Sequence, residues 1–385
     1  NAYSDIIFDG VEGNSFFNTP GAMDVGGIEN QLMHLLRRSD RERFQFDFTT
    51  TMDEPHYGRE ILELGGGLHR IPGTRSAGLI PYCRALFRVM RGGDYDIVHS
   101  HELFHSGVVL FLAKLAGIPQ RFVHAHNWDD GDGSGRKRSA IRTAYNALMR
   151  CSINRFSTCR IACSTLAGKF LYGKKDFHLL FNSVDTSKFL DRYDEAVSGE
   201  FCDGWTNVLH VGRVTAVKNQ GFLVELAEEL RRRGKKYRIL CAGPGDEGYQ
   251  ARVEKAIRER SLGEYIRLLG TRSDIDTLMR KSAAFVLPSK YEGMPLVLIE
   301  AQSSCLPCVC ADTFSREVDF GIGSVCWLPP EADAIRWADA VTGAVERGRA
   351  DKADVVWAVE EKGFDSDSFA RRLCGLYCTA GEGKP

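Results

Sequence analysis

A chain of 385 residues is too long for one hydrophobic core, because single cores stop growing at about 250 to 300 residues, and two domains are therefore expected. Hydrophobic residues make up 43% and charged residues 26%, an ordinary globular balance, and no apolar run approaches the roughly 18 residues of a membrane span. The 50 Lys and Arg residues nearly cancel the 51 Asp and Glu, which excludes a global attraction to nucleic acid and leaves only local patches for anionic surfaces.

Short β-branched runs alternate with longer stretches of helical period, the pattern of parallel sheets with helices on both faces, so the expected class is α/β. The segment VEGNSFFNTPGAM carries a proline and two asparagines where a clean first strand is expected. A helix follows over 28–38, then a strand at 44–49, a helix over 79–91, a strand at 96–100, a helix over 107–116, a strand at 121–126, a helix over 137–151 and a strand at 160–164. The polar segment 191–204 has no sustained period and is the expected linker between domains 1–190 and 205–365. Further strands are expected at 207–211, 237–242, 266–270, 284–289 and 307–311. A capped terminal helix within 366–385, with Phe369, Leu373 and Leu376 on one face, is expected to join the amino-terminal domain.

The 12 cysteines are scattered through apolar segments such as RIACS and RILCAG, the usage of reduced thiols rather than of a disulfide framework. No signal-peptide pattern opens the sequence, so the expected location is the cytoplasm.

The strongest chemical signal is LPSKYEGMPLVLIEAQ: a strand ending at Ser289, a loop through Glu292 and Gly293, and a helix entered at Pro295. Proline costs no hydrogen bond at a first helical turn, and the free N–H groups there suit a diphosphate. Glu300 lies five residues past Pro295, about one and a half turns on, so two carboxylates flank one phosphate pocket and can accept from vicinal hydroxyls. In HVGRVTAVKNQG a strand runs into Gly212 and Arg213, with Lys218 ahead of a helix starting near Gln220. Arg213 can grip phosphate through two donors and Lys218 adds a point charge, enough to neutralise a diphosphate without a metal. Gly26 and Gly27 precede an amphipathic helix and allow close backbone approach to a ligand. The strand RFVHAHNW ends in His126, at the strand end where open α/β sheets place ligands. His124 reads as structural, while His101 and Glu102, on the neighbouring strand end with His99, are candidates to border an acceptor.

From Gly26 to about Leu328 these segments resemble the family 4 glycosyltransferases, whose E-x7-E motif matches Glu292 to Glu300. The run GGIENQLMHLLRR followed by FQFDF is most similar to members that assemble bacterial exopolysaccharide or capsule. The resemblance implies the GT-B fold, two Rossmann-like doubly wound parallel-sheet domains facing a central cleft. It also implies retaining hexosyl transfer from a UDP-, GDP- or similar nucleotide-sugar to a glycan or lipid-linked acceptor in cell-surface polysaccharide biosynthesis, with no cofactor and no metal. By the same resemblance Glu292 and His126 contact the donor sugar, and Glu300 the ribose. Gly293, Met294, Pro295 and Leu296 line sugar and diphosphate, and Gly212, Arg213 and Lys218 hold the diphosphate. Gly26 and Gly27 lie beneath it, and LGTRSDIDTLM, with Arg272, reads the base. Closure about 191–204 would keep water from the donor.

Several features imitate other chemistry. Gly243, Gly245 and Gly248 in AGPGDEG form a G-x-G-x-x-G without the acidic residue a dinucleotide fold wants about 20 residues on. Cys305, Cys308 and Cys310 lack a fourth zinc ligand, and Cys305 stands where the family commonly has glycine. Asp94 with Asp96, and Asp130 with Asp132, imitate D-x-D. Between Arg136 and Arg160 lie seven basic residues and no acidic one, with Ile141, Tyr145 and Leu148 on one helix face. This is either a solvated face or a contact with anionic lipid at the inner face of the plasma membrane. A GT-B epimerase of nucleotide-sugars or a non-catalytic binder would share much of this site. Epimerisation needs proton-transfer residues that no motif supplies, and binding alone does not need the leaving-group cations.

Overall fold

The alternating apolar runs form two parallel sheets in the computed structural model, which describes residues 15–190 and 200–381 apart from 22, 25, 42, 43 and 128–138. The chain divides into unit 1, residues 1–183 with 366–385, and unit 2, residues 184–365. The division falls ahead of the segment 191–204 because Val184 already belongs to unit 2, its N–H donating to the Phe364 carbonyl at 2.9 Å and its backbone bridging Asp365. Residues 191–199 lie outside the described residues. Beyond them Phe201 is buried against Arg238, whose guanidinium also makes two 2.8 Å hydrogen bonds to Asp203, so this end of the segment is part of unit 2.

Unit 1 holds seven strands: β1 (Ser15–Thr19), β2 (Gln45–Thr50), β3 (Gly67–Arg70), β4 (Ile97–Ser100), β5 (Gln120–Ala125), β6 (Cys159–Ala162) and β7 (His178–Leu179). Their spatial order is β3-β2-β1-β4-β5-β6-β7, and every pairing is parallel. Phe16 and Phe17 point to opposite faces of the interior strand β1 and both are fully buried, as expected of a parallel strand covered on both sides. This strand is the SFFNT of the irregular first segment, and it stops at Pro20, which has no N–H to continue a ladder. On one face Phe16 stacks on Phe46 at 4.6 Å and meets Tyr377 at 4.8 Å. Tyr377 belongs to the terminal helix Ser366–Gly381, which buries Phe369, Ala370 and Leu373 in the same core. Phe369 and Leu373 each contribute about 1.5 to 3 kcal/mol if fully transferred from water. The helix expected over 137–151 is observed as Ala140–Phe156; it starts where Ser139 Oγ accepts the Arg142 N–H at 3.2 Å.

Unit 2 holds β8 (Thr206–Val211), β9 (Tyr237–Ala242), β10 (Ile266–Gly270), β11 (Ala284–Leu287), β12 (Cys308–Ala311) and β13 (Val325–Leu328). Their order is β10-β9-β8-β11-β12-β13, again all parallel. Strand order reverses between β8 and β11, so the loops leaving their carboxyl ends diverge and open a crevice, the usual ligand position of an open α/β sheet. In unit 1 the corresponding reversal lies between β1 and β4.

Candidate active site

The loop that leaves β8 is fixed from beneath by the glycines that imitate a dinucleotide fingerprint. Val214 N–H donates to Pro244 O at 2.8 Å, and Gly212 N–H to Ala242 O at 2.9 Å. Gly243 has φ +147°, and a Cβ there would stand 2.2 Å from the Gly212 carbonyl oxygen. Glycine is therefore required for two backbones to touch, not for a pyrophosphate. The fully buried Gln220 holds the same loop from inside, accepting from Thr215 N–H at 3.2 Å and donating to Arg213 O at 2.8 Å. Gln220 Nε2 also faces His210 Nε2 at 3.1 Å, while His210 Nδ1 donates to Val286 O at 3.0 Å. Burial pushes the His210 pKa down to about 4, so the ring is neutral and can accept at Nε2.

Three contacts lock this loop to the one leaving β11. Lys290 N–H donates to Val217 O at 2.8 Å, Asn219 Nδ2 to Pro288 O at 3.3 Å, and Lys218 Nζ to Glu292 Oε1 at 2.6 Å. Asn219 takes the left-handed φ of +62° at the head of the helix Gln220–Arg232, a conformation asparagine tolerates better than most residues. The Lys218 stem crosses Gly212, where a Cβ would stand 3.2 Å from Lys218 Cδ and Cε. Gly212, Lys218 and Glu292 are thus brought together at the strand reversal. Arg213 is exposed, and no hydrogen bond to a described residue engages its guanidinium.

The second carboxylate, Glu300, stands on the helix Leu296–Ser303, with Pro295 as its N-cap and Met294 buried before it. Burial raises the Glu300 pKa to about 7, opposed by the charge of Lys188. The chain leaves this helix through Cys305 at φ +58°, a left-handed position that glycine takes with least strain. Arg272 is ion-paired on the surface of unit 2. It forks onto Asp274 with two 2.8 Å hydrogen bonds and reaches Glu200 at 3.3 Å.

In unit 1, Gly26 lies just before the helix Gly27–Arg38, and a Cβ on it would fall 2.3 Å from Glu29 Oε2. Glu29 folds its carboxylate back over the helix start, where burial raises its pKa and its own backbone N–H lowers it. An internal carboxylate therefore sits at the helix start read as an anion site. His126 is buried with both ring nitrogens engaged: Nδ1 lies 3.2 Å from Asn182 Oδ1 and Nε2 2.9 Å from His101 Nδ1. Glu102 accepts from Tyr82 Oη at 3.0 and 3.1 Å. Sequence reasoning named the ligand-type residues and missed their holders, Gln220, His210, Asn219 and Asn182. The only local signal for these was an asparagine directly before a predicted helix.

The helix Ala140–Phe156 leaves Ile141 84% and Leu148 63% exposed. The basic residues 136–138, and the Asp130 and Asp132 pair, lie outside the described residues. Among the described residues no helix is long and apolar enough to cross a membrane.

Residues 201–352 match the glycosyl transferases group 1 family, and residues 26–171 the glycosyl transferase 4-like domain. The putative glycosyltransferase EpsF of Bacillus subtilis is 32% identical over 367 residues, 92% of this chain and 94% of its own length. The UDP-Gal:alpha-D-GlcNAc-diphosphoundecaprenol alpha-1,3-galactosyltransferase of Escherichia coli is 28% identical over 244 residues, 58% of this chain and 60% of its own. The crystal structure of Anabaena HepE in complex with UDP and glucose superposes with a TM-score of 0.75 at 16% identity, covering 94% of this chain and 98% of that one. Two Rossmann-like parallel-sheet units of this kind define the GT-B class. Within that class the chain belongs to the family 4-like glycosyltransferases and is a glycosyl-transferring enzyme.

Proposed function

We propose that the chain is a retaining, metal-independent hexosyltransferase that moves a sugar from a UDP- or GDP-sugar onto a lipid-linked glycan in cell-surface polysaccharide assembly. The observation that carries the proposal is the 2.6 Å Lys218–Glu292 pair at the strand reversal between β8 and β11. An ammonium beside a carboxylate at a strand-end crevice complements a sugar diphosphate, whose phosphates need cations and whose ring hydroxyls need acceptors. As the bond from the anomeric carbon to the diphosphate breaks, charge builds on the leaving oxygen. In this reading Lys218, with Arg213 from the same loop, stabilises it; pre-placed donors of this sort supply about 3 to 4 kcal/mol each. Glu292 accepts from the sugar and Glu300 from the ribose. The departing phosphate takes the acceptor proton on the face it leaves, so configuration is kept and no enzymic base is needed.

The acceptor half rests on two supports. The E. coli relative is named for a UDP-galactose donor and a diphosphoundecaprenol-linked acceptor. The helix Ala140–Phe156 presents Ile141 and Leu148 to solvent beside Arg142, the composition of a face that settles on anionic lipid, which would hold the enzyme at the cytoplasmic surface of the plasma membrane. The test is transfer from UDP-, GDP- and ADP-sugars to a lipid-linked saccharide with no Mg2+ or Mn2+ added, followed by NMR of the new linkage. Expected is one preferred donor with its anomeric configuration retained. An inverted product, an isomerised free nucleotide-sugar, or turnover only with added metal would each refute the corresponding part.

A further inference from the structure

Four histidines crowd the carboxyl ends of β4 and β5 in unit 1, and glycosyl transfer as proposed routes no step through the nitrogens of His99, His101 or His124. His99 and His101 are two residues apart and so share one face of the sheet. The parallel register pairs His99 with Phe122, which sets His124 beside His101 on that face. The His99 and His101 rings lie 4.2 Å apart, and both lie within 5.8 Å of the His124 ring. One ring nitrogen from each of His99, His101 and His124 falls within 4.8 Å of the others, and all three residues are buried.

The hydrogen bonds around the cluster are compatible with unprotonated Nε2 atoms on His99 and His101. Asn182 Oδ1 accepts from His126 Nδ1, given the amide orientation that places oxygen there, so a neutral His126 must accept at Nε2. The donor is His101 Nδ1 at 2.9 Å, which leaves His101 Nε2 with a bare lone pair. His99 Nδ1 lies 2.7 Å from Tyr377 Oη, and the tautomer that donates to this oxygen leaves His99 Nε2 bare as well. Neither Nε2, nor either nitrogen of His124, has a hydrogen-bond partner among the described residues. His124 turns toward the Leu180 backbone without reaching hydrogen-bond geometry. The three rings thus crowd together with unpartnered nitrogens in a buried setting, which is unfavourable for polar atoms left without a partner. A cation between them supplies that partner.

We propose that His99, His101 and His124 form a binding site for a divalent transition metal of the imidazole-preferring kind, such as Zn2+, that ties the carboxyl ends of β4 and β5 together. Neutral imidazole is the ligand form, and its preference runs to Zn, Cu and Ni rather than Mg or Ca. The outer hydrogen bonds are those of metal-bound histidine, with the far ring nitrogen donating to a fixed acceptor: Tyr377 for His99, His126 for His101. Tetrahedral bonds of about 2.0 to 2.1 Å put ligand nitrogens roughly 3.4 Å apart, so nitrogens now within 4.8 Å of one another draw closer as the rings turn onto the ion, with water as fourth ligand. The ion takes no part in the reaction. It fixes the His101 proton and through it the orientation of His126.

The test loads the full chain with Zn2+ or Co2+, removes loose metal by gel filtration, and measures bound metal by mass spectrometry alongside the Co2+ visible spectrum. About one equivalent per chain, a four-coordinate Co2+ spectrum and a raised melting temperature are expected. His124→Phe, checked for folding by circular dichroism, should weaken metal binding by about tenfold or more, whereas Cys308→Ser should not. Sub-stoichiometric metal in the wild type, an octahedral Co2+ spectrum, or full retention by folded His124→Phe overturns the proposal. Should His124→Phe not fold, the wild-type stoichiometry and spectrum decide. None of these readouts requires glycosyl transfer, so failure here and failure of the functional proposal are separable.

Discussion

Replacing Lys218 with methionine keeps the aliphatic stem over Gly212 and removes the ammonium from Glu292. The Lys218 and Glu292 side chains are 20% and 13% exposed, between a surface pair, worth at most about 1 kcal/mol, and a buried pair, whose breaking costs about 3 to 5 kcal/mol. A loss of roughly 1 to 2 kcal/mol in the stability of unit 2 follows, or about 2 to 8 °C in melting temperature for a domain of this size. The effect on turnover is larger because the ammonium then misses the charge on the leaving oxygen: kcat falls by about 10² to 10³. If cation and carboxylate act as one unit, Lys218→Met with Glu292→Gln is little worse than the more damaging single variant. Steady-state transfer kinetics with calorimetry on the same preparations measures both. Turnover of Lys218→Met within about threefold of wild type, with the protein folded, would refute the assignment of this pair to the donor.

Glu300 gives a pH signature. Its folded pKa of about 7 lies above the ordinary 4.5, so its contribution to stability is complete below pH 4.5 and is lost as pH rises through 7. The span is worth at most roughly 3 kcal/mol, and Glu300→Gln should flatten it in urea melts run from pH 5 to pH 8. Nucleoside diphosphate binding, which wants the ionised carboxylate, should tighten over the same rise in wild type and not in Glu300→Gln. Gly243→Ala drives a methyl into the Gly212 carbonyl and should cost about 2 kcal/mol or more of unit 2 stability together with donor binding, seen as a lower melting temperature and a lost thermal shift with UDP or GDP. Ile141→Glu with Leu148→Glu, on the exposed face of Ala140–Phe156, should abolish flotation with anionic liposomes without changing the melting temperature. Flotation that is equal on neutral lipid or indifferent to salt would argue against an electrostatic contact.

The period of apolar residues and the chemistry of strand-end loops were legible without coordinates. Buried parallel strands demand unbroken β-branched runs, and a loop with Gly212, Arg213 and Lys218, or with Glu292 ahead of a proline-led helix, carries its reactivity locally. The first strand was illegible because Asn18, buried within it, and Pro20 both argue against a strand, and only its place between β2 and β4 overrules them. The short edge strands β3 and β7 carry too little apolar pattern to register.

What tertiary structure alone decided is who stands beside whom. Arg272 forks onto Asp274, Glu29 folds over Gly26, Gln220 holds Arg213 from inside, and His124 meets His99 and His101. Each of these depends on a rotamer or on the register between separate elements. Sequence sets local preference and periodicity, but a one-residue slip of β5 against β4 would send His124 to the opposite face while leaving every local preference unchanged.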